Sequence, residues 1–318
     1  MSTQSNNLLQ QAYELLQQGK ADMAKPLLED ALIGDLENKE ILFAIRCANY
    51  WGSALFSVEG IVSPFKKGEK IIDCWKKFVT DIVGGESSLY EKSMYSVRKG
   101  VFSIALELYK QTLTDHYQLQ RAESYRKVAF CYKQLGFYEQ ALSFLAEANA
   151  ILENLTKRED IASILAEMAD CYSLCGQDNY AKVLFREAFF LDPGNIELVF
   201  LDSELIVSLL KLVSEKGYPE VVMREWIPVY GVLYGVFNVK RQLRPVEFST
   251  LRRDIVNLEN EIQVSQDDKR ALLVPRLINK YFWQIDHYVA TNDDREKIQE
   301  TLRKIKLLDE EVYRKYTM

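Results

Sequence analysis

The stretch CYSLCGQDNYAKVLFREAFFLDPGN, residues 171–195, contains the spacing that decides the fold. Ala181 stands five residues after Gly176, Phe185 nine and Ala188 twelve. Ala181, Phe185 and Ala188 therefore lie at i, i+4 and i+7 and share one face of an α-helix. Small, large and small side chains in this order let a second helix approach closely at two points. Because glycine adopts left-handed backbone angles at little cost, we expect Gly176 to end the preceding helix in a tight turn.

Much of this pattern recurs around four other glycines. Each glycine is followed by its own set of residues at plus five, plus nine and plus twelve. These are Ala141, Leu145 and Ala148 for Gly136; Ala24, Leu28 and Ala31 for Gly19; Ala105, Tyr109 and Thr112 for Gly100; and Val222, Trp226 and Val229 for Gly217. Each unit is predicted to be a helix, a turn and a second helix. One hairpin cannot bury its apolar face alone, so neighbouring units should stack.

The repeated hairpin resembles the tetratricopeptide repeat (TPR) family, whose pattern places Ala, Phe and Pro on and after the second helix. The best matches are YRKVAFCYKQLGFYEQALSFLAEANAIL, residues 125–152, and the stretch at residues 171–195 quoted above, in which Pro193 ends the helix. The resemblance implies an all-α fold, an α–α superhelical solenoid of TPR-like hairpins over residues 1–240. The predicted units cover about 5–38, 85–119, 122–155 and 162–195, with an irregular hairpin at 40–84 and a degenerate unit at 203–236.

Beyond about residue 240 the repeat fades into three amphipathic stretches. Leu251, Ile255, Leu258 and Ile262 form one helical stripe, and RALLVPRLINKYFWQIDHYVA forms an aromatic one, kinked or begun at Pro275. After the helix-capping sequence TNDD, a third stripe runs through residues 298–316. We interpret residues 241–318 as a C-terminal helical cap, because an open solenoid end needs a polar outer face. The last stripe could equally serve a partner protein or a second copy of the chain.

The composition is typical of a soluble, mostly helical protein, with 48% hydrophobic and 27% charged residues and few glycines or prolines. The net charge of −6 is unlike that of proteins that bind nucleic acid through a basic face. The most apolar stretch spans residues 226–239, shorter than the roughly 20 residues of a membrane span. The five scattered cysteines suit free thiols in a reducing compartment. We therefore expect a cytoplasmic protein with no membrane span and no nucleic-acid partner.

The sequence does not favour catalysis. His116 and His287 have no Ser or Cys partner at a recognisable spacing, and neither a phosphate loop nor an HExxH motif is present. Cys171 and Cys175 lie at i and i+4 and could supply half a metal site, but further ligands are absent nearby in sequence. We expect these two cysteines to pack in the core, and we expect no enzyme activity, cofactor or metal.

The concave surface of the predicted solenoid is the candidate binding site, because curvature exposes the first helix of each unit there. Side chains rotated by about 100° from the packing face should line it. These are Tyr90, Met94, Arg98, Arg126, Phe130, Lys133 and Asp170. Aromatic and thioether groups beside three cations suit an extended peptide or a helix with acidic and apolar side chains. The other interpretation of this surface is a solvated face with incidental aromatic residues.

The sequence therefore predicts a scaffold or adaptor that docks a peptide or protein partner in a preformed groove. Some members of the family hold a C-terminal carboxylate at positions that carry Tyr90, Met94, Arg126 and Phe130 here, so the resemblance does not imply that partner class. The alternative function is a sensor or accessory protein. Its small ligand would occupy a pocket where the aromatic helices of residues 203–290 meet the solenoid.

Overall fold

The computed structural model describes residues 3–83, 90–155, 161–237, 239–240 and 242–318. These residues form fifteen α-helices and no β-strand, which confirms the all-α prediction. The helices are α1 (Thr3–Gln17), α2 (Ala21–Ile33), α3 (Lys39–Ser57), α4 (Pro64–Phe78), α5 (Glu91–Lys110), α6 (Gln118–Gln134), α7 (Tyr138–Leu152), α8 (Ala162–Leu174), α9 (Asp178–Leu191), α10 (Glu204–Ser214), α11 (Glu220–Leu233), α12 (Pro245–Val264), α13 (Asp267–Ala290), α14 (Arg295–Leu308) and α15 (Glu310–Thr317). The chain divides into two compact units, Met1–Ile151 and Leu152–Met318.

Four of the five predicted glycine turns are present. Gly19, Gly136, Gly176 and Gly217 each separate two helices and have φ angles of 72°, 83°, 75° and 73°. At the end of α6, the amides of Gly136 and Phe137 donate to the carbonyls of Lys133 and Tyr132, both at 2.9 Å. These bonds satisfy carbonyls that the ending helix leaves without partners, which is the usual role of a glycine after a helix.

The turn predicted at Gly100 is wrong, because this glycine lies inside the continuous helix α5. It permits a close approach between two helices instead of a reversal of the chain. A Cβ atom at Gly100 would lie 2.0 Å from the carbonyl oxygen of Leu16 in α1 and 2.9 Å from the amide nitrogen of Gly19. The apolar spacing after it still holds, since Ala105 and Tyr109 are fully buried. The repeat pattern therefore predicted the buried face of α5 correctly but not the course of its backbone.

Helix α5 is the centre of the first unit and packs against α1, α3, α4 and α6. The irregular hairpin predicted at 40–84 corresponds to α3 and α4, and its Ile71, Trp75 and Phe78 are buried. The ring of Trp75 meets that of Phe102 in α5, with centroids 5.1 Å apart. Large aromatic groups of this kind supply much of the burial that holds helices together.

A polar contact ties α4, α5 and α6 together inside this unit. The hydroxyl of Tyr109 donates to Oε1 of Glu69 at 2.5 Å, and Nζ of Lys127 donates to Oε2 of the same carboxylate at 3.0 Å. Tyr13 makes a similar bond to Glu40, also at 2.5 Å, between α1 and α3. Hydrogen bonds to charged groups are stronger than neutral ones, so these contacts help to fix the helices relative to one another.

The second unit buries apolar residues from α8 to α15 in one core. The division into compact units falls after Ile151, so the stretch after residue 240 lies in the same unit as α8–α11. Leu251, Ile255 and Phe282, from the segment predicted to form the C-terminal helical cap, lie in the same cluster as Phe185 and Ile227. The stretch after residue 240 completes the core of α8–α11.

The last apolar stripe packs on this core as two helices. Asp309, in an extended conformation, separates α14 from α15, and its side chain accepts from the amide of Val312. Ile305 and Val312 are buried, and the ring of Tyr316 stacks on that of Phe282 at 4.3 Å. These stripe residues contact the chain's own second unit. Among the described helices, none has the length and apolarity that crossing a lipid bilayer requires.

Candidate functional site

Three of the seven residues predicted to line a groove are buried. Met94 and Lys133 are each 5% exposed, and Asp170 is fully covered. The Asp170 carboxylate accepts from the amides of Asp202 and Ser203, at 3.1 and 2.8 Å. It therefore holds the start of α10 in place, because a buried carboxylate needs donors of this kind. A partner has no access to these three side chains while the chain is folded.

The other four predicted residues differ in exposure. Tyr90 is half-buried, with its ring stacked on Phe43 at 4.5 Å. Phe130 is half-buried and meets the ring of Phe102 edge-on at 5.5 Å. Arg126 lies 3.6 Å from the Glu123 carboxylate. Arg98 is exposed on α5.

Arg98 belongs to an exposed surface near the start of α5 that we call the α5 stripe. It consists of Lys92, Tyr95, Arg98 and Lys99, all of which are exposed. Lys92, Tyr95 and Lys99 lie at i, i+3 and i+7 and so share one face of the helix. The Tyr95 side chain is 57% exposed, which is high for an aromatic residue on a well-packed helix.

The packing of α5 against α1 holds the stripe toward solvent. Small residues line the neighbouring side of α5, where Ser93, Ser96 and Gly100 are buried. The hydroxyls of Tyr13 and Ser93 lie 3.3 Å apart, and Gln17 donates to the hydroxyl of Ser96 at 3.4 Å. Because the helix is fixed on this side, the stripe is preformed and requires little ordering before it binds a partner.

The stripe is positively charged. Within the described part of the chain, no carboxylate forms an ion pair with Lys92, Arg98 or Lys99. Lys99 donates to the side-chain oxygen of Gln17 at 3.2 Å, and its Nζ lies 5.9 Å from the centroid of the Tyr95 ring. Three exposed cations therefore lie within four residues of one exposed aromatic ring on the same helix. Such a surface can pair with carboxylates and bury an apolar group at the same place.

Sequence reasoning found Arg98 but missed Lys92, Tyr95 and Lys99. The assumed repeat unit placed Tyr90 and Met94 on the exposed face of α5, whereas Met94 is buried. The missing signal is in the stretch KSMYSVRK, residues 92–99, where the cations and the tyrosine recur at helical spacing between small and apolar residues.

The predicted structural roles of His287 and Cys171 agree with their surroundings. Nδ1 of His287 accepts from the amide of Leu243 at 3.2 Å, and its ring stacks on Phe248 at 3.9 Å. Partial burial lowers the pKa of His287, which favours the neutral ring that this acceptor role needs. Cys171 is buried in α8, and no group of three metal-ligating side chains converges within the residues that the structure describes.

Comparisons with models of protein families, with curated proteins and with solved structures found no match to this chain. The resemblance to tetratricopeptide repeats therefore stays a prediction from the repeat pattern.

Proposed function

We propose that this chain is a non-enzymatic scaffold of stacked helical hairpins, related to the tetratricopeptide type. It binds an acidic segment of a partner protein on the α5 stripe. One observation carries the proposal: Lys92, Arg98 and Lys99 lie within four residues of the exposed Tyr95 on α5 and have no ion-pair partners among the described residues. Their helix is held in place by four neighbouring helices.

The chemistry of the stripe selects the kind of partner. Exposed cations attract carboxylates over a range of about 10 Å at 0.1 M salt and so raise the association rate. The Tyr95 ring provides a large contact area at a small cost in side-chain entropy. We expect a bound segment to carry two or more acidic residues around an apolar or aromatic residue that covers this ring.

Helix α4 provides a useful contrast. It also exposes lysines, including Lys66 and Lys70, but all of its large apolar residues are buried or half-buried. Electrostatic attraction alone contributes little affinity on an exposed surface, typically below about 1 kcal/mol for each pair. The combination of cations with an exposed ring favours α5 over α4 as the docking site.

A peptide selection against the full chain tests this proposal. Random peptides displayed on phage should be enriched in sequences with acidic residues flanking an apolar one, and their binding should weaken with added salt. The double variant Lys92→Glu, Lys99→Glu should lose affinity by about tenfold or more, because two attractions become repulsions.

The matched control is Lys66→Glu, Lys70→Glu, which makes the same charge change on α4 and should leave binding within about twofold of the unaltered chain. Selection of basic peptides, or equal losses in both double variants, would contradict the proposal. Equal losses would show that the total charge matters and the α5 stripe does not.

A further inference from the structure

The second unit contains a cleft of about 510 Å³ between α9, α11, α12 and α13. Its apolar wall includes Phe190, Pro228 and Leu258, and its polar wall includes Glu225 and Arg276. Clefts of this size, mostly apolar with a few convergent polar groups, are where proteins bind small molecules. The cleft belongs to the second unit alone and shares no residue with the α5 stripe.

Glu225 is the unusual residue of this cleft. The residue is 2% exposed, and its Oε1 accepts from Nη2 of Arg276 at 2.5 Å. Its Oε2 is buried and has no hydrogen-bond partner in the structure. Leaving a charged oxygen buried without a donor is costly, and such an atom in a native structure calls for an explanation. A carboxylate paired with arginine accepts hydrogen bonds but cannot donate, so only a donor can satisfy this oxygen.

The charges around the cleft favour a cation as this donor. Its ionic side chains are three carboxylates and two bases. Lys280 is paired with Asp254 at 3.1 Å, and Arg276 is paired with Glu225. The third carboxylate, Asp192, accepts from the amide of Gly194 and forms no ion pair among the described residues. The ionic side chains that line the cleft therefore carry one more negative than positive charge.

The apolar wall is held firmly next to these groups. Phe190 lies between two neighbours, with the ring of Trp283 at 4.4 Å and Nζ of Lys280 at 5.0 Å from its centroid. Pro228 lies within α11, only three residues after Glu225. An apolar group about the size of a ring can thus lie against Phe190 and Pro228 while its polar end reaches the carboxylate.

We propose that this cleft binds a small organic ammonium ion with an apolar body. The ammonium group donates to Oε2 of Glu225, and the apolar body packs against Phe190 and Pro228. Two kinds of ligand share this chemistry, a simple monoamine and an amino acid. In an amino acid, the carboxylate would use the remaining donors of Arg276, whose side chain is about half exposed.

Isothermal titration of the full chain with three matched probes tests the proposal. 2-Phenylethylamine carries the ammonium alone, 3-phenylpropionate carries the carboxylate alone, and phenylalanine carries both. We expect saturable binding of phenylethylamine and no binding of phenylpropionate. Tighter binding of phenylalanine than of phenylethylamine identifies an amino acid as the ligand class, and the reverse order identifies a monoamine.

Two variants locate the binding. Glu225→Gln keeps the size of the side chain but removes its charge, and it should weaken amine binding by about tenfold or more. Asn257→Trp fills the mouth of the cleft from an exposed position on α12 and should abolish binding. Asn260→Trp places the same bulk on an exposed position of α12 outside the cleft lining and should leave binding unchanged.

The proposal is overturned if phenylethylamine fails to bind the unaltered chain, or if phenylpropionate binds instead. It is also overturned if Asn257→Trp binds the amine as well as Asn260→Trp does. If Glu225→Gln does not fold, the comparison between the two tryptophan variants still decides the outcome, because both positions are exposed.

Discussion

Replacement of Gly100 by alanine tests the close approach of α1 and α5. The new Cβ atom would lie 2.0 Å from the carbonyl oxygen of Leu16 and 2.9 Å from the amide nitrogen of Gly19. Both are backbone atoms, so no side-chain rotation can relieve the contact. Helix α1 must move away from α5, or α5 must bend.

The expected magnitude follows from two opposing effects. Alanine is better than glycine inside a helix by about 1 kcal/mol. Overpacking a close contact costs typically about 1–3 kcal/mol, and more where the backbone itself must shift. Because the contacted atoms are backbone, we take the upper end of this cost, about 3 kcal/mol, and expect a net loss of about 2 kcal/mol in the free energy of unfolding. For a unit of this size, that lowers Tm by roughly 4–8 °C.

The same substitution at Gly52, inside α3, is the matched control. There the new Cβ atom meets Oδ1 of Asp22 at 2.2 Å, and the three nearest atoms all belong to this exposed side chain, which can rotate away. Gly52→Ala should leave Tm unchanged or raise it by a few degrees. Thermal unfolding followed by circular dichroism gives both values. A Tm for Gly100→Ala equal to or above that of Gly52→Ala would refute the close packing of α1 on α5.

Three other predictions concern single side chains. Glu69→Ala removes the acceptor of the buried Tyr109 hydroxyl and should lower the free energy of unfolding by about 2 kcal/mol in urea titrations, whereas a loss below about 0.5 kcal/mol would contradict this role. Burial raises the pKa of Cys47 to about 12, so a thiol reagent at pH 8 should label Cys74 in the folded chain and Cys47 only after unfolding; equal labelling rates would count against the fold of α3. Burial opposes ionisation of Glu259, but hydrogen bonds from two neighbouring side chains outweigh it and lower the pKa below 4.5. The stabilisation from ionised Glu259 is therefore present above pH 4.5 and is lost as the pH falls further. The free energy of unfolding of Glu259→Gln should consequently fall less steeply below pH 4.5 than that of the unaltered chain. An equal fall in both would argue against these hydrogen bonds.

The repeat pattern predicted most of the helical hairpins because each hairpin is decided locally. A glycine with positive φ and an alanine–aromatic–alanine face act within about fifteen residues of one another, as at Gly176, Ala181 and Phe185. Gly100 shows the limit of this reasoning. The same residue type can permit a turn or a close helix contact, and the choice depends on α1, which lies more than 80 residues earlier in the chain.

The candidate site was only partly predictable for a similar reason. Assigning residues to a concave face required knowing which sides of each helix are covered, and α5 is covered by four other helices, which buries Met94. Asp170 looked like a groove carboxylate because its partners, the amides of residues 202 and 203, are distant in sequence. The buried, unpartnered oxygen of Glu225 could not be predicted at all, since it depends on how α11 meets α13 in three dimensions.

Photo-crosslinking from Tyr95 tests the central claim most directly. A benzophenone amino acid replaces Tyr95 in one variant and Tyr117, which is 80% exposed before α6, in another. Each variant is irradiated with an acidic peptide obtained from the selection described above. The account predicts a crosslink from position 95 that an excess of unlabelled peptide suppresses, and little or none from position 117. Equal crosslinking from both positions, or crosslinking from position 117 alone, would show that the partner does not dock on the α5 stripe.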